Sequence, residues 1–509
     1  MLAKCHSGAI CGIDAQTVEI EVCSTNGSPQ FTIVGLPDAA VKEAKDRVST
    51  AIANSGFSAS EGNVTVNLAP ADLRKEGPLY DLPIALALLA AEGRLPGERL
   101  RDFAFVGELA LSGAVRRTDG ILPIALEMHR IGKRGIVLPL ENAEEAAVVR
   151  GLDVHPVCTL REAVDFITGE AQIPPVQSDL ESLVAAGRDG GDDFADVKGQ
   201  ETAKRAIEIA VAGGHNLLMI GSPGAGKTML ARRIPSILPP MTCEEALEVT
   251  RVHSVAGILK AQRALVTRRP FRAPHHTVSD AGLLGGGTHP LPGEVSLAHR
   301  GVLFLDELPE FRRNLLEAMR QPLEDGKVTI ARAAAACEFP SRFTLVAAMN
   351  PCPCGYEGDP HRRCRCSARK IAAYRAKISG PLMDRIDIQL SVPPVSVEEL
   401  ADLPAGEPSS AIRARVVAAR AIQRRRASDL PGVHCNAEIK SRDLPDICML
   451  DREAQSELRK DLQKLGLSAR AYDRVLRVAR TIADLAGSAR VESEHISEAI
   501  NFRQLDQEV

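Results

Sequence analysis

The sequence has no tryptophan, and with four tyrosines and twelve phenylalanines its aromatic share is 3%. Reading bases by stacking needs such rings, so any nucleic-acid contact should run through backbone phosphates. Long apolar runs are missing too: the best window, Leu82 to Ala91, is about half of the ~18 residues a membrane helix needs and stops at Glu92 and Gly93. The opening MLAKCHSGAI has no signal-peptide core, so the expected location is the cytoplasm. A large excess of either charge is absent as well. A net charge of −4 excludes a global attraction to polyanions and leaves only local basic surfaces. Twelve cysteines are too sparse for a disulfide scaffold; in a reducing compartment they are thiols or metal ligands.

What is present is a globular composition, 45% hydrophobic and 25% charged. A chain of 509 residues exceeds what one core serves, so about two to four domains are expected. Residues 10–34 have the pattern of a β-hairpin: Val18, Ile20 and Val22 alternate with Glu19 and Glu21, Asn26-Gly27 offers a turn, and Phe31 to Val34 returns. A helix starting at Asp38 sets Val41, Ala44, Val48, Ala51 and Ile52 on one face and stops at Asn54-Ser55-Gly56. Further β and α segments make residues 1–170 an α+β domain. Residues 171–193, with Pro174-Pro175 and the run GRDGGDD, lack apolar periodicity and read as a linker. Over 194–395 helices alternate with apolar strands at Asn216–Ile220, Val302–Leu305 and Phe343–Ala348, an α/β pattern that implies a parallel sheet covered on both faces. Residues 396–509 read as wholly helical.

Gly221-Ser222-Pro223-Gly224-Ala225-Gly226-Lys227-Thr228 fits G-x-x-x-x-G-K-[ST] and lies between an apolar strand and a helical run, the context the motif requires. Its glycines let backbone N–H groups converge on phosphates at a helix N-terminus. Lys227 is assigned to the β- and γ-phosphates of ATP and the Thr228 hydroxyl to Mg²⁺. Strand Val302–Leu305 runs into Asp306 and Glu307, which places two carboxylates at the carboxyl edge of the sheet, where ligands of such sheets bind. Asp306 is the metal-side acid, and Glu307 polarises the attacking water. Taken alone, an Asp-Glu pair after a strand is a solvated loop; behind a phosphate loop in one domain it is the second half of a site. Asn350, ending a third strand, can orient the same water, although in isolation it reads as a turn residue.

Five strings carry a family resemblance: DFADVKGQETAKRAIEIAVAGGHNLLMIGSPGAGKTML, RPFRAPHHTVSDAGLLGGG, PGEVSLAHRGVLFLDELPEF, AAMNPCPCG and SGPLMDRIDIQL. Together they resemble the Mg-chelatase-like AAA+ ATPases, and among these the ComM/YifB proteins, from Met1 to about Gln504. The resemblance implies a P-loop AAA+ parallel-sheet domain with a C-terminal helical lid. It makes Asn350 the sensor of the γ-phosphate, Arg385 of MDRID the arginine finger and Arg470 of SARAYDR the second sensor. A finger reaches into a neighbouring subunit's site, so a homo-oligomeric ring, a hexamer, is implied. By its own neighbours Arg385 reads instead as a salt-bridge partner of Asp384 or Asp387. The resemblance also suggests two polymer-gripping insertions, residues 251–287 and the hairpin 327–342. In these, Arg268, Arg269, Arg272, Lys327 and Arg332 are either phosphate contacts or solvated charges. Residues 1–170 resemble the Lon-protease-type domain through RKEGP at 74–78 and VGELALSGAVRRTDGILPI. The places of that family's serine and lysine hold Leu79 and Leu122, which leaves no Ser-Lys dyad and implies a binding or assembly role.

Cys352-x-Cys354 and Cys364-x-Cys366 lie in a turn-rich loop that suits a tetrahedral Zn²⁺ site, with His361 as a spare ligand and reduced buried thiols as the alternative. Around them fall Arg362, Arg363, Arg365, Arg369, Lys370, Arg375 and Lys377, and a later helix carries Arg413, Arg415, Arg420, Arg424, Arg425 and Arg426. Such runs are either solvated faces or a track for DNA of low sequence selectivity. The function implied by the resemblance is an ATP-driven DNA translocase or helicase that promotes branch migration in natural transformation. The alternative is a chelatase-type or protein-remodelling ATPase acting on a protein partner.

Overall fold

The computed structural model describes residues 1–58, 62–186, 191–260, 264–287, 290–331, 336–394, 404–430, 432–465 and 469–503. They form two compact units. One comprises Met1–Gly187, Thr242–Thr267 and Ala331–Phe339; the other comprises Arg188–Met241, Arg268–Ile330 and Pro340–Val509.

The first unit is built on seven strands: β1 (Leu2–Cys11), β2 (Asp14–Thr25), β3 (Gln30–Val34), β4 (Asn63–Ala69), β5 (Phe103–Phe105), β6 (Gly135–Pro139) and β7 (Asp153–Val157). Their order is β3-β4-β2-β1-β5-β6-β7. The hairpin expected over residues 10–34 does not form. Strand β2 pairs with β1 on one side and β4 on the other, so both of its edges are taken, and Phe31–Val34 lies parallel to β4 instead. The real turn is at Gly12, whose φ of 66° is left-handed.

Helix Ala39–Asn54 follows the sequence pattern: the Asp38 carboxylate accepts the Val41 N–H, and Val41, Ala44, Val48, Ala51 and Ile52 are its buried face. Helix Asp81–Ala91 is buried along its whole length. Its Asp81 carboxylate accepts two bonds from Arg47, at 2.7 and 3.0 Å. Arg47→Ala leaves that carboxylate buried without its cation, so a loss of roughly 3–5 kcal/mol is expected, read as a lower denaturant midpoint at unchanged slope.

Within the stretch expected to be a linker, Val176 bridges to Val154 and Leu180–Ala186 is a helix with Leu180 buried. Two well-placed apolar residues dock a segment that has no periodicity to announce it. Thr242–Thr267 also belongs to this unit. Its helix Cys243–Val255 opens with a capping box between Thr242 and Glu245. The Ser254 hydroxyl donates to the buried Glu145 carboxylate, and the Ser254 carbonyl accepts the Gly120 N–H at 3.2 Å. Glu145 also accepts the Leu122 N–H at 3.0 Å. Leu79 and Leu122 are both buried core residues.

The second unit holds β8 (Leu217–Ile220), β9 (Phe271–Arg272), β10 (Val302–Leu305), β11 (Thr344–Met349) and β12 (Ile388–Ser391), ordered β9-β10-β11-β8-β12. Every neighbouring pair is parallel. Alternate residues point to opposite faces, and both faces are buried. Leu217, Met219, Phe304 and Val346 share one core with Leu230, Val416 and Ala479 of flanking helices. Leu218, Leu303, Leu305 and Leu345 share the other with Leu315 and Met383. The C-terminal region is helical, with Ser409–Arg426, Ala469–Ala486 and Ser493–Asn501 its main segments. Among the described residues no helix is long and apolar enough to cross a membrane. The architecture is thus a parallel α/β sheet unit with helical C-terminal cover, and an α+β unit that begins at the N-terminus.

Candidate active site

Three strands of the second unit deliver the predicted residues to one edge of the sheet. Strand β8 runs through Gly221–Gly226 into helix Lys227–Ile237, so Lys227 and Thr228 stand at a helix N-terminus, where main-chain N–H groups point outward for an anion. Lys227 is buried, and its ammonium donates to the carbonyls of Gly221 (2.7 Å) and Ser222 (3.0 Å) and to Asn350 Oδ1 (3.2 Å). Burial lowers its pKa, against the pull of Asp306 and Glu307. The Thr228 hydroxyl donates to Asp306 Oδ2 at 2.6 Å, and Asp306 Oδ1 accepts the Glu307 N–H at 2.9 Å. Both oxygens of that carboxylate are therefore oriented.

Glu307 itself is left-handed, with φ 54° and ψ 46°. A non-glycine residue held there stores about 1–3 kcal/mol of strain. Its Oε2 lies 3.4 Å from His276 Nδ1, and the His276 ring meets Phe311 edge-on and lies 4.0 Å from His275. His276 and Tyr374, which lies close to the Asn350 backbone, are site neighbours that sequence patterning does not mark. Strand β9, which carries the chain toward His276, is two residues long and leaves no periodic signal. Burial pushes the Tyr374 phenol up to about 12.

Arg385 and Arg470 do not join this group. Asn216, just before β8, donates its N–H to Asp387 Oδ2 (2.9 Å) and its side-chain amide to the Arg385 carbonyl (2.8 Å). Asp387 likewise just precedes β12, so these residues sit at the opposite edge of the sheet, ~13 Å of four-residue strand from the phosphate loop. The Arg385 guanidinium pairs with Glu324 and donates to the Pro381 carbonyl (2.7 Å), in a cleft of about 560 Å³ that Glu317 and Arg320 also line. The partners expected from sequence are occupied elsewhere: Asp384 by Arg470 at 3.7 Å, and Asp387 by His215 at 3.8 Å and Arg474 at 3.9 Å. Burial opposes ionisation of Asp387, yet His215 and Arg474 hold its carboxyl below the usual range.

The four cysteines converge. Cys352, Cys354 and Cys364 have Sγ separations of 3.4, 3.6 and 3.6 Å, and with Cys366 all four sulfurs lie within 4.8 Å of one another. A tetrahedron with Zn–S bonds of about 2.3 Å has edges of about 3.8 Å, so this donor set fits such an ion. His361 is not in the group. It is exposed, and its N–H is bonded to Asp359.

Comparison with known proteins agrees along the whole chain. Family models match in succession: subunit ChlI of Mg-chelatase over residues 20–142, magnesium chelatase subunit ChlI over 193–400, and the ChlI C-terminal part over 406–503. Competence protein ComM of Haemophilus influenzae is 45% identical over 510 residues, covering 99% of this chain and 98% of that one. The chain belongs to the ComM/YifB family of Mg-chelatase-like AAA+ ATPases. The YifB protein of Salmonella typhimurium is 43% identical over 509 residues, 99% of this chain and 97% of that one. Lon protease of Chloroflexus aggregans is 28% identical over 169 residues, 31% of this chain and 20% of that one, in keeping with a Lon-like N-terminal fold. For a ComM/YifB member ATP and Mg²⁺ are the cofactors the family implies.

Several charges that sequence left open are spoken for in this ComM/YifB chain. Arg269 donates to the carbonyls of Pro239 and Arg300, both at 2.7 Å, and Arg272 pairs with both oxygens of Glu294. Both guanidiniums are held by groups of this chain. Arg332 lies outside the described residues. On the later helix Arg415 pairs with Glu208 and Glu407, Arg420 bonds the Val211 carbonyl and Arg426 pairs with Asp484, so these three tie that helix to its neighbours. By contrast Arg363, Arg365, Arg369 and Lys370 beside the cysteine cluster are all exposed.

Proposed function

We propose that this ComM/YifB protein hydrolyses ATP at Gly221–Thr228 and uses the energy to translocate along or unwind DNA, promoting branch migration as incoming DNA recombines. The observation that carries the reading is the 2.6 Å Thr228–Asp306 bond beside the 3.2 Å Lys227–Asn350 contact. These draw the ends of three strands to one point. Thr228 and Asp306 would hold Mg²⁺, which when bound neutralises charge on the β- and γ-phosphates. Lys227 exchanges the carbonyls of Gly221 and Ser222 for phosphate oxygens. Glu307 accepts the proton of the attacking water, and Asn350 orients that water.

Arg385 and Arg470 lie a full strand length from their own phosphate loop. That supports service to a neighbouring copy's site, and hence a closed ring, a hexamer, with active sites at its interfaces. Cys352, Cys354, Cys364 and Cys366 hold Zn²⁺, and the exposed arginines beside them contact DNA phosphates. The N-terminal region serves binding or assembly, since Leu79 and Leu122 supply neither nucleophile nor base. The name of the Haemophilus relative, a competence protein, supports the cellular role.

The test is ATP turnover with forked DNA, with denatured protein and with neither. Forked DNA is expected to raise kcat severalfold at low salt and progressively less as salt rises. Stimulation by denatured protein or by a partner subunit, with none by DNA, would move the assignment to a protein-remodelling or chelatase-type ATPase.

A further inference from the structure

The cysteine loop meets the phosphate loop at Gly355. Gly355 has φ 86° and bonds its N–H to the Cys352 carbonyl at 2.9 Å. A β-carbon there would lie 2.6 Å from Cδ and 2.7 Å from Cγ of Pro223, and 3.9 Å from Cγ of Asn350. Only glycine both adopts that backbone and lets it press against the ring. Pro223 has its φ locked by that ring, so a push on the ring is a push on the backbone of the phosphate loop.

The loop that supplies the push has almost no core of its own: from Cys352 to Cys366 only Cys352 and Gly355 are buried. Its base is fastened next to the nucleotide site. Cys352 stands two residues after Asn350, and Arg375 bonds the Pro351 carbonyl (3.4 Å) and pairs with Glu357 (2.9 Å). A short segment without a core takes its stiffness from a cross-link, and the convergent thiols are where one forms.

We infer that the four-cysteine loop is a buttress for the phosphate loop. Zinc held by Cys352, Cys354, Cys364 and Cys366 fixes Gly355 against Pro223, and the occupancy of that metal centre thereby sets the affinity of Gly221–Thr228 for nucleotide phosphates. The inference rests on the nucleotide-binding reading above and goes beyond it, because it gives the cluster a role at ATP binding that is independent of any polymer.

The experiment uses the full chain without DNA. Zinc per chain and the Kd for a fluorescent ATP analogue are measured on the purified protein. Both are measured again after treatment with a chelator, removal of the chelator and restoration of Mg²⁺. One zinc per chain is expected. Its loss should raise Kd at least about tenfold, the cost of one bond to a charged oxygen, and added zinc should restore it. In parallel, Gly355→Ala, Pro223→Ala and the double variant are compared at full zinc content. Gly355→Ala should weaken binding by a similar factor, and Pro223→Ala, which removes the ring that the new methyl strikes, should recover most of it in the double variant. The backbone cost of alanine at a left-handed position is the same in both backgrounds and cancels from the cycle.

Nucleotide binding that is unchanged in folded zinc-free protein, no zinc in the purified protein, or strictly additive effects of the two substitutions would each overturn the inference. If the zinc-free protein unfolds, the substitution cycle alone decides. Zinc-replete wild type that binds no ATP analogue sinks the nucleotide-binding reading itself, a result distinct from the other three.

Discussion

Glu307→Gln is expected to lower kcat for ATP by about 10²–10⁴-fold, the share a positioned general base supplies, while the Kd for ATP stays near that of wild type. The amide has the size of the carboxylate, so the left-handed backbone at residue 307 and the packing of His276 against Phe311 have no reason to change. What is lost is the acceptor for the water's proton. A fall in kcat without a change in binding marks an interaction made only in the transition state. Single-turnover hydrolysis with binding measured separately checks this, and hydrolysis at the wild-type rate would remove Glu307 from the mechanism.

The second large effect concerns Arg385. Arg385→Ala is expected to cost about 10³–10⁵ in kcat, the range reported for arginine fingers, although the residue is remote from its own phosphate loop. The informative form of the experiment is a mixture. Neither Arg385→Ala nor Lys227→Ala should turn over ATP alone. Mixed rings should recover activity, because an Lys227→Ala copy still offers its arginine to an Arg385→Ala copy whose phosphate loop is intact. No recovery in rings shown to contain both variants would place Arg385 in its own subunit's chemistry or in structure alone. The Glu324 pairing adds a requirement to the proposed role: a guanidinium acting as a finger would exchange that carboxylate for phosphoryl oxygens, which would link interface formation to release from Glu324.

The parts of the site legible in the sequence share a property. The phosphate loop and the Asp306-Glu307 pair each follow an apolar strand directly. Strand direction is local, so a residue just past a strand end falls at a known edge of a parallel sheet. Asn350 follows the same rule after β11. The helix Ala39–Asn54 was equally readable, since its cap and its apolar stripe lie within one short window.

Where reading along the chain failed, the deciding contact was distant. Phe31–Val34 has the composition of a hairpin return but finds β4, because Val18–Val22 already has a partner on each side. Arg269 and Arg272 resemble loop charges until Pro239, Arg300 and Glu294 are brought to them.

By itself, then, the sequence determined the family, the parallel α/β character of the ATPase sheet, and the identity of Lys227, Thr228, Asp306, Glu307 and Asn350 as neighbours at one edge. Tertiary structure alone decided that helix Cys243–Val255 packs with the N-terminal unit, that His276 meets Glu307, that Arg385 lies at the far edge beside Glu324, and that Gly355 rests on Pro223. The reason is physical: strand direction and helix capping are set by residues a few positions apart, whereas an ion pair or a close approach depends on which distant segments share a surface, and no spacing along the chain encodes that.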